Sequence, residues 1–134
     1  MISKMIFLKI AQEVSQASQA MRLKVGSIIV KEGNILAIGY NGTPSGFNNR
    51  CETAKGITKP EVLHAESNCI SKCARSVNSS DKADLYTTHS PCFECCKLII
   101  QAGIINVYYK VQYRDVSGLV LLKKAGIHVE QIDI

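Results

Sequence analysis

The sequence predicts an α/β fold with three layers (α/β/α), in which a mixed sheet of five strands carries helices on both faces. Three observations carry that reading. Two β-rich runs, "VGSIIV" and "ILAIGY", flank the turn-forming "KEGN" and form an antiparallel hairpin. Beyond residue 63, helical spacing alternates with short β-rich runs, which calls for parallel crossovers. The chain has 134 residues, 46% hydrophobic and 20% charged, enough for one domain spanning residues 1–134 with its own core.

Residues 3–21 open the chain as an amphipathic helix, because Ile6, Ile10, Val14, Ala17 and Met21 recur at steps of three and four. The hairpin follows, with Gly33 and Asn34 as its turn residues. Residues 41–61 form a polar loop rich in Gly, Asn and Pro, of a length that is functional or disordered in compact domains. Then come helix "HAESNCISKCAR", strand "DLYTT", helix "CFECCKLIIQAG" and strand "INVYYK". A helix near 116–125 ends at Gly126, and strand "IHVEQI" closes the sheet.

No apolar run is long enough to span a bilayer, and Lys4, Lys9 and Glu13 interrupt the N-terminal stretch, so no signal peptide is read there. A cytoplasmic protein is expected. Six cysteines in such a chain point to metal or catalytic roles before disulfides. The net charge of +5 suits an anionic partner. The absence of a dense Lys/Arg run with interleaved aromatics argues against a nucleic-acid surface.

The chemistry concentrates in "LHAESNC" and "THSPCFECCK". Zinc takes four ligands, and a catalytic site keeps one position open. His64, Cys92 and Cys95 supply three. Pro91 suits a helix start, where exposed amides and the positive dipole end favour thiolate. Glu66 follows His64 by two residues, about 200° around an ideal helix. At a helix start, however, both side chains can face one cavity, and the carboxylate then sits beside an activated water, where it can act as base and then acid. Taken singly, each part has a plainer use. C-x-x-C alone serves a structural zinc or a redox pair as readily as a catalytic site, a His there caps a helix, and Glu66 is a first-turn acid. A structural site would want a fourth ligand, and Cys51, Cys69, Cys73, Cys96 and His89 make no second pair. Cys69 and Cys73 read as small packing residues. Three ligands plus an uncommitted Glu is a catalytic count.

H-x-E followed by P-C-x-x-C is the signature of zinc-dependent nucleobase deaminases. With "KVGSIIV", "GYNGTPSGFNN", "HAESN", "PCFECCK", "AGI..VYY" and "YRD", nearly the whole chain resembles the deoxycytidylate (dCMP) deaminases of the cytidine/deoxycytidylate deaminase family. Cys69 and Cys96 stand where that family usually has small residues such as Ala, and no Cys/His set for a second, structural zinc is present. The resemblance implies a cytidine-deaminase-like fold, one zinc on His64, Cys92 and Cys95, and Glu66 as proton shuttle in the hydrolysis of dCMP to dUMP and ammonia. It also implies that the Ala65 N–H meets the pyrimidine carbonyl, the Ser90 carbonyl the amino group, and Asn41 the deoxyribose. Phosphate would fall to Arg22, Lys24 and Arg114 with the Tyr113 hydroxyl; a guanidinium fork favours Arg114 and Arg22. Arg50 reads as solvated or regulatory. In relatives the "GYNGTP" region, here Gly39, Tyr40, Asn41 and Gly42, helps bind a triphosphate with Mg2+, dCTP activating and dTTP inhibiting, often in a hexamer. The rival readings are a cytidine, deoxycytidine or RNA-base deaminase of the same fold, and a non-catalytic zinc domain used for interaction.

Overall fold

The computed structural model describes residues 3–134. Helix α1 (Lys4–Ser15) begins at Ser3, whose extended backbone and side-chain oxygen, accepting from the Ile6 N–H, make an N-cap. Strands β1 (Gly26–Lys31) and β2 (Asn34–Tyr40) form the hairpin. Then follow α2 (Ala65–Ala74), β3 (Asp84–His89), α3 (Phe93–Gln101), β4 (Asn106–Val111), α4 (Ser117–Lys124) and β5 (His128–Gln131). The five strands lie in the order β2-β1-β3-β4-β5. Pairing is antiparallel from β2 to β1 and β1 to β3, and parallel from β3 to β4 and β4 to β5. This is the mixed sheet that the sequence predicts.

Alternation along the strands divides the core. Ile28, Val30, Tyr86 and Tyr108 face α1, whereas Ile29, Leu85, Val107 and Tyr109 face α2, α3 and α4. The fully buried Ile28, Ile29, Leu85, Ile99, Val107 and Leu122 tie the layers together, each side chain contributing about 1.5–3 kcal/mol by leaving water. Among the described residues no helix is long and apolar enough to cross a membrane.

Two sequence expectations need correction. The first helix stops at Ser15 and buries Phe7, Leu8, Ala11 and Ser15, while Ile6 and Ala17 are exposed and Met21 is 87% exposed. The helix lies backbone-close to the sheet there: a Cβ on Gly26 would clash with the Ala11 carbonyl oxygen and the Ser15 amide, so β1 lies against the small residues Ala11 and Ser15 while Phe7 and Leu8 pack beside them on Ile28, Val30 and Tyr86. In the hairpin, the two-residue loop is Glu32–Gly33 and Asn34 already belongs to β2. Both loop residues have positive φ (52° and 79°), as a type I′ turn requires.

Candidate active site

The site lies beyond the C-terminal end of β3, where the first turns of α2 and α3 converge, the usual place for ligands in an open α/β sheet. His64 is the N-cap residue of α2 but makes no side-chain cap hydrogen bond. Its ring turns instead to the sulfurs of α3: Nδ1 is 3.4 Å from Cys92 Sγ and 3.3 Å from Cys95 Sγ. Cys92 caps α3, its sulfur accepting from the Cys95 N–H. The three ligand atoms lie within 4.8 Å of one another. Tetrahedral zinc with ordinary bond lengths sets nitrogen and sulfur about 3.5 Å apart, so this cage fits that ion. The cage and its donor chemistry thus support a single Zn2+ site.

Hydrogen bonds within the cage also shift the protonation of its members. Cys92 is held down to about 4, first by its hydrogen bond with Cys95 and then by His64. Cys95 is pushed up, first by the same bond and then by burial. His64 is raised, chiefly by its hydrogen bond with Cys92.

Glu66 is only 4% exposed and touches Cys95 without being one of the three clustered ligands. Burial pushes its carboxyl above the usual carboxylate range, against the opposing hydrogen bond from Thr87. The Thr87 hydroxyl donates to Glu66 Oε1 at 2.8 Å. Cage and carboxylate form the floor of a cleft of about 340 Å³ whose walls include Ala20, Arg22, Asn41, Val62, Ser90 and Tyr113.

Of the residues singled out in the sequence, the structure brings His64, Ala65, Glu66, Cys92, Arg22, Asn41, Ser90 and Tyr113 to this cleft. Lys24 and Arg114 are exposed and do not line it. Asn41 is committed to the wall: its Oδ1 accepts from the Val25 N–H and its Nδ2 donates to the Leu23 carbonyl, both at 2.8 Å. The Ser90 hydroxyl accepts from the Tyr113 N–H at 2.9 Å, and the Tyr113 ring stacks on His89. Burial pushes the Tyr113 hydroxyl up to about 12, so it remains a donor at neutral pH.

The 39–42 stretch has local work to do. A Cβ on Gly39 would meet Cys69 N at 2.5 Å and the Ala65 carbonyl at 2.6 Å, so this residue lets β2 lie against α2. The Tyr40 carbonyl accepts from Asn68, and the Lys72 ammonium sits over its ring. The Asn41 N–H donates to the Val25 carbonyl and the Gly42 N–H to the Leu63 carbonyl. Neither of those two amides is free to meet a phosphate in this conformation.

Sequence reasoning missed Glu52 and Thr87. Glu52 lies in the long loop, yet it is 6% exposed, lines the cleft, and accepts from the Met21 and Arg22 N–H groups at 3.0–3.2 Å. It braces the segment that carries Arg22, and the bridge between Glu52 and Thr58 orders the loop around it. An acid among Gly, Asn and Thr has no periodicity to mark it as buried.

The profile of the cytidine and deoxycytidylate deaminase zinc-binding region matches residues 1–111. The chain belongs to that family. It is similar to the dCMP deaminase of cyanophage S-TIM5, crystallised in complex with dCMP and dUMP: TM-score 0.93 and 47% identity over 98% of this chain and 100% of that one. It is 37% identical to ComE operon protein 2 of Bacillus subtilis over 87% of this chain, and 36% identical to the deoxycytidylate deaminase of Saccharomyces cerevisiae over 93%. The chain spans 64% of the length of the first and 43% of the second.

Proposed function

We propose that this chain hydrolyses the 4-amino group of dCMP, giving dUMP and ammonia, with one zinc ion held by His64, Cys92 and Cys95. The observation that carries the reading is a buried, non-ligating Glu66 beside a three-ligand cage, in a chain 47% identical to a dCMP deaminase crystallised with dCMP and dUMP. Zinc in such a cage supplies the Lewis acidity that makes water a nucleophile near neutral pH.

The protein does the rest. Glu66, kept protonatable by burial, takes a proton from water and passes it to N3 as the C4–O bond forms and the C4=N3 double bond opens. It then moves the remaining hydroxyl proton to the amino nitrogen as the C4–N bond breaks and the C4 carbonyl forms, leaving dUMP and ammonia. Ala65 is the first residue of α2, so its N–H has no partner within the helix and is available for the pyrimidine carbonyl. Ser90, held through its hydroxyl by Tyr113 and through its amide by Val111, presents its carbonyl to the departing amine. Asn41 shapes the sugar wall, and Arg22 with the Tyr113 hydroxyl takes the phosphate; Lys24 and Arg114 would need substrate outside the cleft or a second subunit to reach it. Six cysteines, none in a disulfide, support a reducing, cytoplasmic setting. Control by dCTP and dTTP with Mg2+ in a homo-oligomer rests on the "GYNGTP" resemblance alone.

The test is product analysis of zinc-loaded protein with dCMP and deoxycytidine in parallel, each with and without dCTP and Mg2+. Formation of dUMP without deoxyuridine supports the nucleotide reading, and a dCTP requirement supports regulation. Equal turnover of deoxycytidine would remove the phosphate role from Arg22.

A further inference from the structure

We propose that Thr87, supported by Ser27, is a positioning residue for Glu66: its hydroxyl anchors Oε1 and leaves the second carboxylate oxygen to carry protons in the cleft. This rests on the deaminase reading above.

Ser27 on β1 and Thr87 on β3 face each other in register across the antiparallel pair. Both are fully buried. By strand alternation they share the face of Ile29 and Leu85, which is otherwise apolar and covered by α2 and α3. Two hydroxyls there cost free energy unless each finds a partner. The partners form a chain: Ser27 Oγ donates to Thr87 Oγ1 at 2.9 Å, and Thr87 Oγ1 donates to Glu66 Oε1 at 2.8 Å. The His89 carbonyl, 3.2 Å from Thr87 Oγ1, competes for the same proton. A threonine hydroxyl has one proton and two lone pairs. With Ser27 feeding one lone pair, that proton goes to the nearer acceptor, and a carboxylate is a stronger acceptor than a carbonyl. The polar pair therefore has one consumer, Glu66.

That consumer needs fixing. Glu66 reaches the cleft from the first turn of α2 and is not part of the cage. A carboxylate free to turn about its last torsion would spend its time among several directions, including that of the cage. Bound at one oxygen to a rigid central strand, it presents the other in a single orientation, which is the geometry proton transfer requires.

The experiment compares zinc-loaded wild type with Thr87→Val and Thr87→Ser, measuring kcat and KM for dCMP. Thr87→Val keeps shape and loses the donor; kcat should fall by about 10- to 100-fold, the rate equivalent of a hydrogen bond to a charged group, with KM little changed. Thr87→Ser, which keeps a hydroxyl, should recover most of that loss. Ser27→Ala leaves the Thr87 donor in place and should cost less than Thr87→Val. An unchanged kcat in Thr87→Val, or equal losses in the Val and Ser variants, would overturn the proposal. A readout independent of turnover is a double-mutant cycle on urea unfolding with Thr87→Val and Glu66→Leu. Non-additive midpoints support the anchor, and additive ones overturn it. Should the wild type deaminate nothing, the deaminase reading falls while the cycle still decides the anchor.

Discussion

Replacing Glu66 with Gln separates proton transfer from every other task of the site. Gln has the same shape, and its carbonyl can still accept the Thr87 hydroxyl that lies 2.8 Å from Oε1. The metal cage consists of His64, Cys92 and Cys95, so zinc should remain at one per chain. Burial raises the Glu66 carboxyl, so in the metal-free protein its charged form is disfavoured by folding. A group raised in the folded state contributes stability below its unfolded pKa and loses it as pH rises through the folded one. At neutral pH, then, Gln should leave metal-free stability unchanged or improved. Activity is another matter. A positioned acid–base group contributes about 10²–10⁴-fold, and Glu66 serves in both proton transfers, so kcat should fall by the upper part of that range, about 4–5 kcal/mol of barrier. The assay is dUMP formation by chromatography, alongside zinc content by atomic absorption and urea unfolding. Loss of zinc together with activity would show that Glu66 is a ligand or a structural residue. Retention of more than about a tenth of wild-type kcat would show that it is not the shuttle.

Other perturbations test the parts around it. Zinc affinity should fall as pH falls, because the thiolates and the imidazole must lose protons to bind; competition with a chromophoric chelator across pH checks this, and a flat profile would contradict the cage. Cys92→Ser should release the metal without unfolding the sheet. Gly39→Ala places a methyl group 2.5 Å from Cys69 N and 2.6 Å from the Ala65 carbonyl, helix backbone that cannot swing aside. It should cost about 1–3 kcal/mol in urea unfolding and weaken zinc binding, since α2 carries His64 at its start. Glu52→Ala strands the Met21 and Arg22 amides, costing about 1–3 kcal/mol, and should raise KM for dCMP more than it lowers kcat.

What the sequence disclosed and what it hid differ in range. His64, Glu66, Cys92 and Cys95 are legible because each pair sits within one helical turn, where spacing alone constrains geometry. The hairpin and the strand–helix alternation are legible for the same reason. The buried stripe of α1 is not, because it runs through Ala11 and Ser15, whose value lies in being small against Gly26. Ser27 and Thr87 look like ordinary strand residues until β1 and β3 pair, and the site's carboxylate anchor depends on that long-range pairing. Glu52 is hidden by its loop, and the reach of Lys24 and Arg114 was a question of direction that spacing does not answer.

A site that adds water to a cytosine ring and expels ammonia must leave a solvent oxygen on C4 of the product. Incubating the zinc-loaded protein with dCMP in heavy-oxygen water and weighing the product tests it directly. The product should be dUMP carrying one heavy oxygen, with ammonia released in equal amount. Unaltered dCMP, or dUMP without the label, would contradict it.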